Sequence, residues 1–204
     1  VLCELMYSWF CPKDGKILDP FAGGSVRGIV SSILGYNYHG IELNPEQIKS
    51  NQDQANNICN ENLPIWIDGD SNQILDTIDD SYDFVFSCPP YFDLEVYEGG
   101  EQSIESFPNY QDWLKGYWEE TVKICHDVLE KDGTFSFVIV PQYQSKNETI
   151  FIGTDLSDIA KKYFTEIEVK QIHWKTQTTL APAKAGKQKE LGNYENLYLF
   201  KKTT

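Results

Sequence analysis

Asp19, Glu42 and Asp70 each stand at or just past the end of a short apolar run, and a fourth such run ends in Ser87-Cys88-Pro89-Pro90-Tyr91. An ionised carboxylate only accepts hydrogen bonds, so these acids suit hydroxyl and amine donors. Glu42, some twenty residues past a glycine-rich turn, is placed as an acid that takes ribose hydroxyls. Asp70 could accept from an adenine amine. The turn itself, Asp19-Pro20-Phe21-Ala22-Gly23-Gly24, lets backbone approach a ligand, and the helix after it offers free N–H groups. It is neither the GxGxxG of hydride-transfer enzymes nor the Gly-Lys-Ser/Thr of a phosphate loop. A cofactor with a carboxylate and no phosphate fits such a short turn. Taken singly, each acid could be an ordinary strand end or turn. They gain force together, because parallel strands bring their C-terminal ends to one sheet edge, where ligands bind. Pro89 and Pro90 have fixed φ and no N–H, so their carbonyls are rigidly held acceptors.

The elements that must position these residues alternate. Residues 16–19 read as a strand and 25–34 as a helix with Ser25 as N-cap. A second strand over 36–43 leads to a helix with Asn44 as N-cap and Pro45 in its first turn. Strands follow over 63–70 and 82–88. An amphipathic helix is expected over 110–130 with a stop at Asp132-Gly133, then a strand over 134–140 and a short helix over 156–163. Two final strands, 166–174 and 193–202, have no helix between them and are expected to form an antiparallel hairpin. Such alternation implies a mostly parallel sheet of seven strands, with helices on both faces and that hairpin at the C-terminus. One domain over residues 1–204 accommodates it. The first residues read as a helix that begins abruptly, so native residues upstream of Val1 are expected.

Hydrophobic residues make up 41% and aromatics 14% of the 204, enough for a sizeable core and against disorder. No apolar run reaches the length of a membrane span. Five cysteines without CxxC spacing and three scattered histidines argue against a disulfide framework and a metal site. The net charge of -14 opposes simple coating of nucleic acid. It is uneven, however: residues 1–141 hold 7 basic and 24 acidic residues, whereas 142–204 hold 10 lysines and 7 acids. Lys170, Lys175, Lys184, Lys187 and Lys189 follow one another with no acid between them. Residues 176–193 are expected to be a mobile basic loop that meets an anionic partner; a solvated loop with no partner is the plain alternative.

The stretches "DPFAGGS", "IELNPEQI" and "SCPPYF", in that order, resemble the amino-group DNA methyltransferases that use S-adenosylmethionine. The likeness covers roughly residues 1–141. It implies a Rossmann-like class I methyltransferase fold. It also implies site-specific methylation of the exocyclic amine of adenine (N6) or cytosine (N4) in DNA. Asp19, Pro20, Phe21, Ala22, Gly23, Gly24, Glu42 and Asp70 would bind the cofactor. Ser87, Cys88, Pro89, Pro90 and Tyr91 would form the catalytic motif, with Tyr91 stacking on a base rotated out of the duplex. Phe92, Lys175, Lys184, Lys187 and Lys189 would meet the DNA. The expected setting is the cytoplasm of a bacterial or phage-infected cell, with a further domain or subunit for DNA recognition and with no metal or membrane partner. Cys88 departs from the family, which carries Asp, Asn or Ser there. A cysteine nucleophile, as in cytosine-C5 enzymes, is a rival, although that family places its Cys after the Pro. Two other readings stand beside the first: the same chemistry on RNA or a protein amide, and a catalytically silent cofactor-binding module.

Overall fold

The computed structural model describes all residues except 75–76, 79, 94–106, 146–147, 174–193 and 204. Helix α1 (Leu2–Phe10) precedes β1 (Lys16–Asp19), α2 (Val26–Ile33), β2 (Asn37–Glu42), α3 (Pro45–Ile58), β3 (Ile65–Asp68), α4 (Ser71–Ile74) and β4 (Tyr82–Ser87). Then come α5 (Tyr110–Trp113), a π-helical turn (Leu114–Glu119), α6 (Glu120–Val128) and β5 (Leu129–Ile139). A ribbon of β6 (Tyr143–Gln144) and β7 (Thr149–Ile150), helix α7 (Ile152–Ala160), β8 (Thr165–His173) and β9 (Tyr194–Lys201) complete the chain.

Seven strands form one sheet in the order β3-β2-β1-β4-β5-β9-β8. β1 to β5 run parallel; β9 inserts antiparallel between β5 and β8. The expected sheet and terminal hairpin are therefore present, with β8 at the edge and β9 inside. Strand alternation sends side chains to opposite faces. Leu18, Val85, Phe135 and Phe137 join one buried cluster with Trp113, Tyr117 and Trp118. Ile17, Phe84, Phe86 and Val138 join the other with Met6, Tyr7 and Tyr38. Helices thus cover both faces.

Local expectations fare unevenly. Asn44 caps α3, its side chain accepting from the N–H groups of Glu46 and Gln47, with Pro45 in the first turn. Ser25 precedes α2 but makes no cap bond; its hydroxyl donates instead to Gln54 Oε1 at 2.7 Å. The helix expected over 110–130 is interrupted by the π-helical turn and ends at Val128. Asp132-Gly133 is no helix stop but lies within β5, because this segment is drawn into the sheet: Asp132 N–H donates to the Lys202 carbonyl. Asp132 has a φ of 62°, in the left-handed region. The helix near 156–163 starts earlier, at Ile152. Among the described residues no helix is long and apolar enough to cross a membrane, and no group of metal-ligating side chains gathers.

Candidate functional site

β1 and β4 are neighbours, paired Leu18 to Val85. Their C-terminal ends therefore carry the glycine-rich turn and the Pro-Pro motif side by side. Asp19 is the joint. It is fully buried, and its carboxylate is shared by four groups. Ser87 Oγ donates to Oδ1 at 2.6 Å, and Phe21 N–H to the same oxygen at 3.2 Å. Tyr38 hydroxyl donates to Oδ2 at 2.8 Å, and Arg27 Nε ion-pairs with Oδ2. Burial alone would lower the Arg27 pKa, but the Asp19 charge outweighs it and keeps the guanidinium firmly charged. The other end of Arg27 donates to the carbonyls of Phe21 and Ala22, at 2.6 and 2.9 Å. A buried ion pair so stitches the turn to the helix that follows it.

Gly23 then turns with φ +54°, which a side chain would resist. Its N–H donates to Glu42 Oε2 at 2.8 Å, while Glu42 Oε1 accepts from Asn44 N–H at 2.9 Å. Asn51 donates to the Gly23 carbonyl at 2.7 Å. The Glu42 carbonyl accepts from Gly69 N–H at 3.1 Å, which brings the end of β3 alongside. Asp70 accepts from Asn72 N–H at 2.9 Å, and the Ser71 hydroxyl donates to the Pro20 carbonyl. Asp19, Glu42, Asp70 and the turn 20–24 therefore lie at one edge, as the parallel topology requires.

The space over the turn is open: a Cβ built on Gly23 or Gly24 meets no heavy atom within 4 Å. Glu42 is half-buried, and its carboxylate has lone pairs left beyond the two amides it accepts. An open glycine cradle beside a partly exposed carboxylate fits a cofactor with a carboxylate end and a ribose diol. Asp19 is differently employed. Its oxygens face the protein, so it shapes the turn from below.

The motif leaves β4 with Ser87 buried, Cys88 exposed, Pro89 buried, and Pro90, Tyr91 and Phe92 half-buried. Ser87 spends its proton on Asp19. The Cys88 thiol, crowded by protein atoms although the residue reaches solvent, is pushed up to about 11 by desolvation, against the pull of the Arg27 charge. Tyr91 packs edge-on against Tyr143, ring centres 5.3 Å apart. Phe92 meets Tyr110 and Trp113 at 5.7 and 6.1 Å. Lys175, Lys184, Lys187 and Lys189 lie outside the described residues, as does the basic loop 176–193. Lys170 is described and pairs with Glu168 at 2.6 Å, an acid just before the lysine run.

Sequence reasoning passed over Arg27, Tyr38, Ser71, Asn51 and Tyr143. Arg27 alone left a signal, as the single arginine of the chain, lying eight residues past Asp19. Also unforeseen is an aromatic column. Phe21 in the turn stacks on Tyr117, Tyr117 on Trp113, and Trp113 on Tyr110, at 5.8, 5.8 and 5.7 Å. It joins the turn to the residues that hold Phe92.

No protein-family model matches the chain, and no curated protein matches its sequence. Solved structures do match in fold. TrmN from Thermus thermophilus superposes with a TM-score of 0.65 at 10% identity, over 98% of this chain and 48% of its own. The chain thus spans about half of TrmN. A precorrin-6y C5,15-methyltransferase from Geobacter metallireducens gives 0.64 at 15% identity, over 98% and 87%. A TehB-like SAM-dependent methyltransferase from Corynebacterium glutamicum gives 0.59 at 16%, again over 98% and 87%. At such identities the likeness is one of fold, the Rossmann-like class I methyltransferase fold.

Proposed function

We propose that this chain is an S-adenosylmethionine-dependent methyltransferase acting on an exocyclic amine, N6 of adenine or N4 of cytosine, in DNA. The observation that carries the reading is the tie between Ser87 and Asp19 at 2.6 Å. It locks the Pro-Pro-Tyr motif beside the glycine cradle, so an amine held by one would meet a methyl donor held by the other. The fold supports the cofactor, as does the carboxylate of Glu42 beside an open turn. The sequence "SCPPYF" supports the amine.

The cofactor supplies an electrophilic methyl group on a sulfonium; the remaining requirements fall to the chain. An exocyclic amine is a poor nucleophile because its lone pair is delocalised into the ring. The rigidly held main-chain carbonyls of Pro89 and Pro90 would accept the two amine hydrogens, which favours a pyramidal nitrogen with its lone pair free. Preorganised dipoles in a site are effective: removing one donor from an oxyanion hole costs about 2.7–4 kcal/mol, and the two carbonyls would act here with the opposite polarity. Tyr91 offers a ring face to the base. The nitrogen's new bond to the methyl carbon would form as the carbon–sulfur bond breaks, its electron pair leaving with the neutral thioether, and the nitrogen would lose one proton to solvent.

Incubating the protein with methyl-labelled cofactor and unmodified genomic DNA, then digesting to nucleosides, tests this. Labelled N6-methyladenine or N4-methylcytosine is expected. Label in C5-methylcytosine, in RNA alone or in protein alone would replace the reading, and cofactor binding without transfer would favour a silent module.

A further inference from the structure

The segment that follows β5 grips the motif loop at two points. Tyr143, 1% exposed, sets its ring perpendicular to that of Tyr91, at 89° and 5.3 Å. Two residues on, Ser145 Oγ donates to Asp93 Oδ2 at 2.5 Å, and Asp93 lies two residues past Tyr91. The grip is itself anchored. Tyr143 pairs with Ile150 and Gln144 with Thr149 in the small ribbon. Thr149 also donates from its side chain to Gln144 Oε1 at 2.9 Å, and Gly153 N–H donates to the Pro141 carbonyl at 3.1 Å. On the far side, Tyr110 holds Phe92 and is itself bonded to Asp155 of α7 at 3.0 Å.

The Tyr143 hydroxyl and Asp93 Oδ1 are both buried without a partner of good hydrogen-bond geometry. Burial raises the Tyr143 phenol; the Asp93 charge and side-chain bonding with Asp93 raise it further, against backbone bonding at Asp93 and Phe92. Neither atom reaches solvent, so neither is placed to touch a base. A buried polar network that is satisfied rigidifies the groups around it.

We infer that Tyr143 is a positioning residue: it presets the plane of Tyr91, with the Asp93–Ser145 bond holding the loop end, so that the ring is ready to stack on an extruded base. The inference deepens the proposed amine methylation and rests on it. Pre-setting matters because a stacking platform that must first be ordered loses part of its binding energy to that ordering.

Tyrosine ring-labelled protein reports the ring-current environment of Tyr91, its signal assigned with Tyr91→Phe. In Tyr143→Leu the Tyr91 signal is expected to move, and kcat for methylation to fall about 2- to 12-fold, the worth of one aromatic pair, with cofactor Kd unchanged. Tyr143→Phe keeps the ring contact and should restore both the signal and kcat. A fixed Tyr91 signal, or an unchanged kcat, in Tyr143→Leu overturns the inference. Should Tyr143→Leu fail to fold, Ser145→Ala decides: a shifted Tyr91 signal upholds the grip, and an unshifted one overturns it. Failure of the parent protein to methylate DNA would instead overturn the substrate reading, while the Tyr91 signal still reports on the grip.

Discussion

Cys88 occupies the position where the resembled family carries a carboxylate, amide or hydroxyl. Its thiol, desolvated and pushed up to about 11, stays almost wholly protonated at pH 7. That is unsuited to a nucleophile. Cys88→Ser should keep methylation, since it leaves the backbone acceptors in place and restores a residue type the resembled family carries, and iodoacetamide should alkylate Cys88 slowly at pH 7. Loss of all activity in Cys88→Ser, or fast alkylation at neutral pH, would restore the cysteine-nucleophile rival. Asp19 poses the opposite case, a residue whose chemistry is spent inside the protein. Asp19→Asn keeps the shape but leaves the Arg27 charge without its counter-ion. Breaking a buried pair costs about 3–5 kcal/mol, and the lower end applies here because Arg27 is still 18% exposed. Urea unfolding should show that loss, and Asp19→Asn with Arg27→Met should recover part of it. If Asp19 served the cofactor directly, the variant would weaken binding while unfolding at the parental midpoint.

At the scale of elements, the π-helical turn is the least foreseeable feature. The amphipathic pattern of 110–130 fits a continuous helix, and nothing in it marks the wider turn. In the structure the Tyr117 carbonyl is met by Asn72 Nδ2 at 3.1 Å and by Thr121 Oγ1 at 2.9 Å. Asn72 is also the residue whose N–H Asp70 accepts, so the turn is keyed to the end of β3. Gly116 lets Phe107 lie on the turn: a Cβ there would come within 2.5 Å of the ring. Gly116→Ala sets an overpacking cost of about 1–3 kcal/mol against a helix-propensity gain of about 1 kcal/mol. A net loss of about 1 kcal/mol is therefore expected in chemical denaturation. A more stable variant would show that Phe107 swings aside freely. By contrast, the cap of α3 was legible, since Asn44-Pro45 is a local device that acts on its own next turn.

On the proposed reading a chain of net charge -14 has to approach a polyanion. Lys170 pairs with Glu168 at the surface, which leaves Lys175, Lys184, Lys187 and Lys189 as the lysines of the run to test. Each lysine that meets a phosphate adds about 0.9 to the salt slope of duplex binding. Changing Lys184, Lys187 and Lys189 together to Ala should weaken binding alike for all sequences and flatten that slope by up to about 2.7, leaving cofactor affinity unchanged. Parental affinity with a parental slope would mean that these lysines are solvated, and would move DNA contact to residues 92–108 or to a partner.

The sequence by itself determined the alternation of elements, the parallel sheet and the identity of the edge. Strand ends with an acid, a glycine turn or a Pro-Pro corner are local patterns, and parallel pairing sends them all to one side. What each of those residues does there was decided by tertiary structure. Asp19 and Glu42 look alike in sequence, both acids closing an apolar strand. In space Asp19 meets Arg27, Ser87 and Tyr38 and is consumed by them, whereas Glu42 meets two backbone amides and keeps lone pairs toward an open cradle. Tyr143 carries no motif at all and matters only because a ribbon places it under Tyr91. Partners distant in the chain cannot be read from local pattern. They follow from which faces the sheet and helices bury together.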